Sequence, residues 1–109
     1  MLRWGMLLPH MAENIDARRA EVRGRIANNL KLFRGKQGMS QEKLADRAGL
    51  HRTQLSSIER GRSNVMVDTL VALATALGVD AVELLVERNE KPMPLEGGRK
   101  RRLASSQPE

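Results

Sequence analysis

Residues 40–61 read SQEKLADRAGLHRTQLSSIERG, two short amphipathic segments joined by a tight turn. Ser40 is a good N-cap for the first, and Glu42 puts an acidic group near the positive end of its dipole. Leu44, Ala45 and Ala48 make one apolar face, while Glu42, Lys43, Asp46 and Arg47 face water. Gly49 ends the segment, because glycine takes the left-handed conformation that closes a helix and reverses the chain, and Leu50 drops toward the core behind it. A second helix is expected from about Arg52 to Arg60. It buries Leu55 and Ile58, presents Arg52, Thr53, Gln54, Ser56 and Ser57 on its polar side, and stops at Gly61.

The small side chain of Ala45 lets the two helices approach, and a turn of three or four residues forces a steep crossing. That is a helix-turn-helix, whose second helix lies in the major groove of DNA. The polar face suits that groove: arginine bonds a guanine edge in bidentate fashion, glutamine an adenine edge, and serine or threonine several bases.

Outward from this pair, a helix over about 16–37 carries Val22, Ile26, Leu30 and Phe33 on one face, with Asn14 or Asp16 as cap. Gly35 and Gly38 are expected to end it, and Met39 to return to the core. Beyond the connector RSNV, a helix from Val67 to Leu77 turns Leu70, Leu73, Ala74 and Leu77 inward and closes at Gly78. Asp80 and Glu83 have the spacing of a capping box, opening a last helix that buries Leu84 and Leu85. Three regions result: an N-terminal extension over 1–15, a domain over 16–88 and a basic tail over 89–109. The extension contains MLRWGMLLPHM, too short to span a membrane and without a cleavage site. Two readings of its first ten residues stand open, an upstream extension or an arm that packs on the domain or touches DNA. The tail, with Pro92, Pro94, Gly97, Gly98 and RKRR at 99–102, reads as disordered, and as either a nonspecific DNA-attracting run, a solvated charge run or an interaction handle.

Composition narrows the function classes. The 109 residues suffice for one small domain without metal or disulfide, and the absence of cysteine fits an intracellular protein. The net charge of +6 favours a polyanionic partner, while one Trp, one Phe and no Tyr argue against base stacking on single strands. Residues 20–88 hold eleven basic and eight acidic residues, so about half of the excess lies in the ends. His10 and His51 have no second ligand at metal spacing, and no cofactor motif is present. No nucleophile with a base, glycine-rich phosphate loop or paired carboxylates is evident, so no catalytic residue is assigned and the chain is not read as an enzyme.

From about Ile26 to Leu85 the chain resembles the lambda-repressor-like (Cro/Xre) helix-turn-helix family. Gln41, Leu44, Ala45, Gly49, Ile58, Glu59, Gly61 and TLVALATALGVDAVELL at 69–85 carry the resemblance. It implies an all-α, compact five-helix domain that works as a homodimer on a two-fold operator. It also implies that Arg52, Thr53 and Ser57 read base edges, with Gln54 and Ser56 as second choices. Gln41 matches the family's phosphate-contacting glutamine, and Arg60, Arg62, Ser63 and Asn64 match its backbone-clamping loop. His51 stands where relatives often have Thr, Ser or Asp as cap and phosphate contact, a departure from the commonest pattern. Arg34 and Glu59 match a structural ion pair beneath the recognition helix.

The expected function is a cytoplasmic, sequence-specific transcriptional regulator of double-stranded DNA, most simply a dimeric repressor. LHRTQLSSIERGRSN with the TL that follows also resembles restriction-modification controller proteins. The bare domain resembles antitoxins as well, which bind a toxin protein and their own promoter. Val82 and Val86 are candidates for the dimer patch, with ordinary core as the competing assignment.

Overall fold

The computed structural model describes residues 14–92, which form four α-helices and one 3-10 turn, with no strand among the described residues. The helices are α1 (Ile15–Lys36), α2 (Gln41–Ala48), α3 (Arg52–Glu59) and α4 (Val67–Leu77), and the turn covers Ala81–Leu84. Leu30, Leu44, Leu55, Leu73 and Leu84 are each fully buried, so every one of these five elements contributes a leucine to a single core. Ile26, Met39, Ala45, Ile58, Leu70, Ala74 and Leu77 complete it, with Val22, Phe33, Leu50 and Leu85 packed at its margin. Such a shared core makes the helices interdependent, since helices of eight residues are marginal alone.

The turns that position α2 and α3 follow from local chemistry. Ser40 Oγ accepts from the Lys43 amide at 3.0 Å. At the other end Gly49 adopts φ 76°, and the Leu50 amide donates to the Ala45 carbonyl at 2.8 Å, a Schellman-type closure that aims α3 across α2. Gly35 remains helical and does not help to end α1; Gly38, at φ 63°, makes that turn alone. Gln37 then caps the far end of α4, its Nε2 donating to the Leu77 carbonyl at 2.8 Å.

The fifth helix expected after Gly78 is a single 3-10 turn. Asp80 Oδ1 accepts from the Val82 amide at 2.9 Å, which closes a tight turn, but Glu83 does not complete a capping box. Its carboxylate pairs with Arg88, and the same arginine donates to the Glu83 carbonyl at 2.6 Å. That carbonyl is thus met by a side chain, and the element ends at Leu84 after one turn. Arg88 is held in turn by Asn29 Oδ1 at 2.8 Å and lies 5.0 Å over the Phe33 ring. Asn29 is completely buried and donates to the carbonyls of Leu84 at 2.9 Å and Val86 at 2.8 Å. The readings of residues 1–13 and of the run at 99–102 lie outside the described residues.

Candidate nucleic-acid interface

The inner side of α3 is set by Leu55, Ile58 and Glu59, all buried, which leaves His51, Arg52, Thr53 and Gln54 exposed on the outer side of its first turn. Glu59 is 3% exposed, yet its carboxylate is fully engaged. Arg34 Nε and Nη2 donate to its two oxygens at 2.8 Å each, and Gln41 Nε2 adds a bond of 2.9 Å to Oε1. Arg34 Nη1 also donates to the Met39 carbonyl at 2.9 Å. One carboxylate therefore ties α3 to α1 and α2, and a bidentate guanidinium fixes direction as well as distance. Gln41 spends one amide hydrogen inside the protein and keeps a second N–H, the kind of group from which a phosphate oxygen accepts.

The polar residues divide by how far they are already engaged. Arg52 is 55% exposed and its Nε lies 3.9 Å from Glu42, a weak surface pair that leaves the guanidinium available. Thr53 and Gln54 are open to solvent, so the roll of the helix gives Gln54 more exposure than Ser57. Ser57 is half-buried and shares a 2.6 Å hydrogen bond with the Ser63 hydroxyl, a link between the helix and the loop after it. Ser56 accepts from Arg60 Nη1 at 2.6 Å. Arg62 and Asn64 are exposed on that loop, and His51 occupies the N-cap position of α3 without a side-chain capping bond. The outer surface thus presents three arginines, Arg52, Arg60 and Arg62, together with neutral donors and acceptors. The only carboxylate within α3 is neutralised beneath it. Such a surface fits phosphates and base edges. Among the described residues no group of acidic or histidine side chains is placed to hold a metal ion.

Three residues with tertiary contacts carried no legible role in the sequence. Asn29 and Arg88 belong to the clasp described above, and Arg23 Nε donates to the Gly61 carbonyl at 3.3 Å, bridging α1 to the end of the recognition segment. A signal for Asn29 existed: a short amide, poor for helix propensity, sits in α1 between apolar positions.

The sequence model of the helix-turn-helix family, HTH_3, matches residues 30–84, which contain α2, α3 and α4. The chain belongs to the helix-turn-helix family of Cro/Xre type. This helix-turn-helix protein is 42% identical over 71 residues to a Neisseria hypothetical transcription factor from Neisseria meningitidis, a match covering 65% of this chain and 67% of that one. It is 38% identical over 71 residues to the control protein C.SmaI of Serratia marcescens, covering 65% and 84%. Its fold resembles the crystal structure of the restriction-modification controller protein C.AhdI from Aeromonas hydrophila, with a TM-score of 0.56 at 37% identity over 57% of this chain and 94% of that one. No helix among the described residues is long and apolar enough to cross a membrane.

Proposed function

We infer that the protein is a sequence-specific transcriptional regulator that inserts α3 into the major groove. In this reading it acts as a homodimeric repressor, each protomer taking one half of a two-fold operator. The observation that carries it is the contrast between the two sides of α3. Arg52, Thr53 and Gln54 are exposed, with only the long Arg52–Glu42 surface pair among them, while Glu59 is locked to Arg34 and Gln41 behind them. Arg52 and Thr53 then read base edges, with Gln54 in place to assist. Ser57 contributes through the hydroxyl pair it shares with Ser63. Gln41, His51, Arg60, Arg62, Ser63 and Asn64 meet the phosphates on either side. Val82 and Val86, 55% and 39% exposed, offer apolar surface for the second protomer.

The test is selection of bound duplexes from a random pool at physiological salt, followed by titration of the best duplex. A two-fold site whose binding is lost on Arg52→Ala supports the reading. Recovery of no motif, with binding that depends on salt alone, would make the protein a nonspecific or architectural binder. The likeness to C.SmaI and C.AhdI favours one specific circuit, a restriction-modification controller. Neighbouring endonuclease and methyltransferase genes, with the selected site lying in their promoter, would support that circuit; a site in unrelated promoters would remove it.

A further inference from the structure

Four arginines lie between positions 18 and 25 of α1, and three of them face carboxylates. Arg18 pairs with Glu21 and Arg19 with Asp16, each at 3.3 Å, and Arg25 pairs with Glu21 at 2.9 Å. Arg23 differs. Among the described residues it has no acidic partner, and its one hydrogen bond runs from Nε to the Gly61 carbonyl. That carbonyl belongs to the positive-φ glycine between Arg60 and Arg62, where the chain leaves α3. Arg23 is half-buried, and a cation partly withdrawn from water without a counter-ion carries a desolvation cost. The negative end of the α3 dipole offsets part of that cost.

Arg23 and Arg19, one turn apart on α1, line a shared groove with Asn64, the loop residue assigned above to the DNA backbone. α1 and Asn64 thus border the same groove, and among the described residues that line it there is no carboxylate to pair with Arg23. A guanidinium anchored through Nε keeps both terminal nitrogens for a phosphate, in the fork geometry that suits two of its oxygens. We propose that Arg23 is a DNA-backbone contact. It is supplied by α1 from outside the 30–84 helix-turn-helix match and takes a phosphate beside the one met by Arg62 and Asn64. The inference rests on the major-groove reading of α3. Its chemistry is sequence-independent: Arg23 adds affinity and fixes the seating of the domain without reading a base.

The experiment compares the full chain with Arg23→Gln and Arg23→Lys by fluorescence anisotropy, titrating the selected duplex and an unrelated duplex across a salt series. For Arg23→Gln, the slope of log affinity against log salt should flatten by about 0.9 for each phosphate no longer neutralised. Both duplexes should weaken by the same factor, and Arg23→Lys should restore most of the slope. Ethylation interference supplies a second readout on the wild-type chain. One phosphate whose ethylation blocks wild-type binding should become indifferent in Arg23→Gln. A wild-type salt slope and an unchanged interference pattern in Arg23→Gln would overturn the proposal, leaving Arg23 as a cap on the Gly61 carbonyl. Loss of thermal stability in Arg23→Gln with the wild-type slope retained would overturn it equally. Failure of the major-groove reading is a separate result: the wild-type chain itself would then select no motif.

Discussion

Glu59 is the residue on which the interface turns, because it is buried, charged and answered by three hydrogen bonds from Arg34 and Gln41. Removing its main partner leaves a carboxylate without compensation in a poorly hydrated site, which costs about 3–5 kcal/mol. Arg34→Ala is therefore expected to lower the thermal midpoint sharply, whereas replacing both partners with apolar residues of similar size should recover a large part of the loss. Thermal denaturation of Arg34→Ala and of the double variant checks this. Arg52 calls for the opposite outcome. It makes one long surface contact, to Glu42, so Arg52→Ala should leave the melting curve nearly unchanged. The same substitution should remove about 1–3 kcal/mol of discrimination at one base pair, read as the ratio of affinities for the selected site and for its single-base variants.

At the scale of elements, α2, α3 and α4 were legible because each carries its own punctuation. Ser40 caps α2, Gly49 reverses the chain, and Gly78 closes α4 at φ 74°. Gly49→Ala tests that local code. A Cβ there would meet nothing within 4 Å, so the whole penalty is the left-handed backbone, about 1–2 kcal/mol, and Gly49→Asn should lose less. Chemical denaturation of the two variants measures the difference. The end of the domain was not legible, because it is decided by contacts 55 to 59 positions apart in the chain, from Asn29 to Leu84, Val86 and Arg88. Asp80 and Glu83 have the right spacing for a capping box, but Glu83 pairs with Arg88 five residues on, and Arg88 is itself held by Asn29 from α1. Arg88→Ala should accordingly release the 81–88 segment. Amide exchange there should accelerate, with a stability loss of about 1–3 kcal/mol for the polar groups left unpaired and little change in the intrinsic contacts of α3 with DNA.

At the scale of the molecule, the all-helical class followed from the helix-turn-helix pattern, and the candidate interface is placed by that pattern combined with positive charge. The degree to which each polar side chain is already engaged did not. Ser57 and Ser63 looked like independent contacts and are bonded to each other, and Gln41 looked purely external yet supports Glu59. Only packing distinguishes an exposed donor from one tied to a neighbour. The self-association in our reading belongs to this scale as well. Val82→Asp with Val86→Asp should shift sedimentation toward the monomer and lower affinity for a two-fold duplex far more than for a single half-site. The Glu59 anchorage has a final consequence. Because α3 is held mainly from its inner side, residues 52–54 can change with little effect on what holds them. If α3 reads DNA as we infer, new operators can be acquired by rewriting a few outward-facing letters, and an engineer could retarget this protein by the same edit.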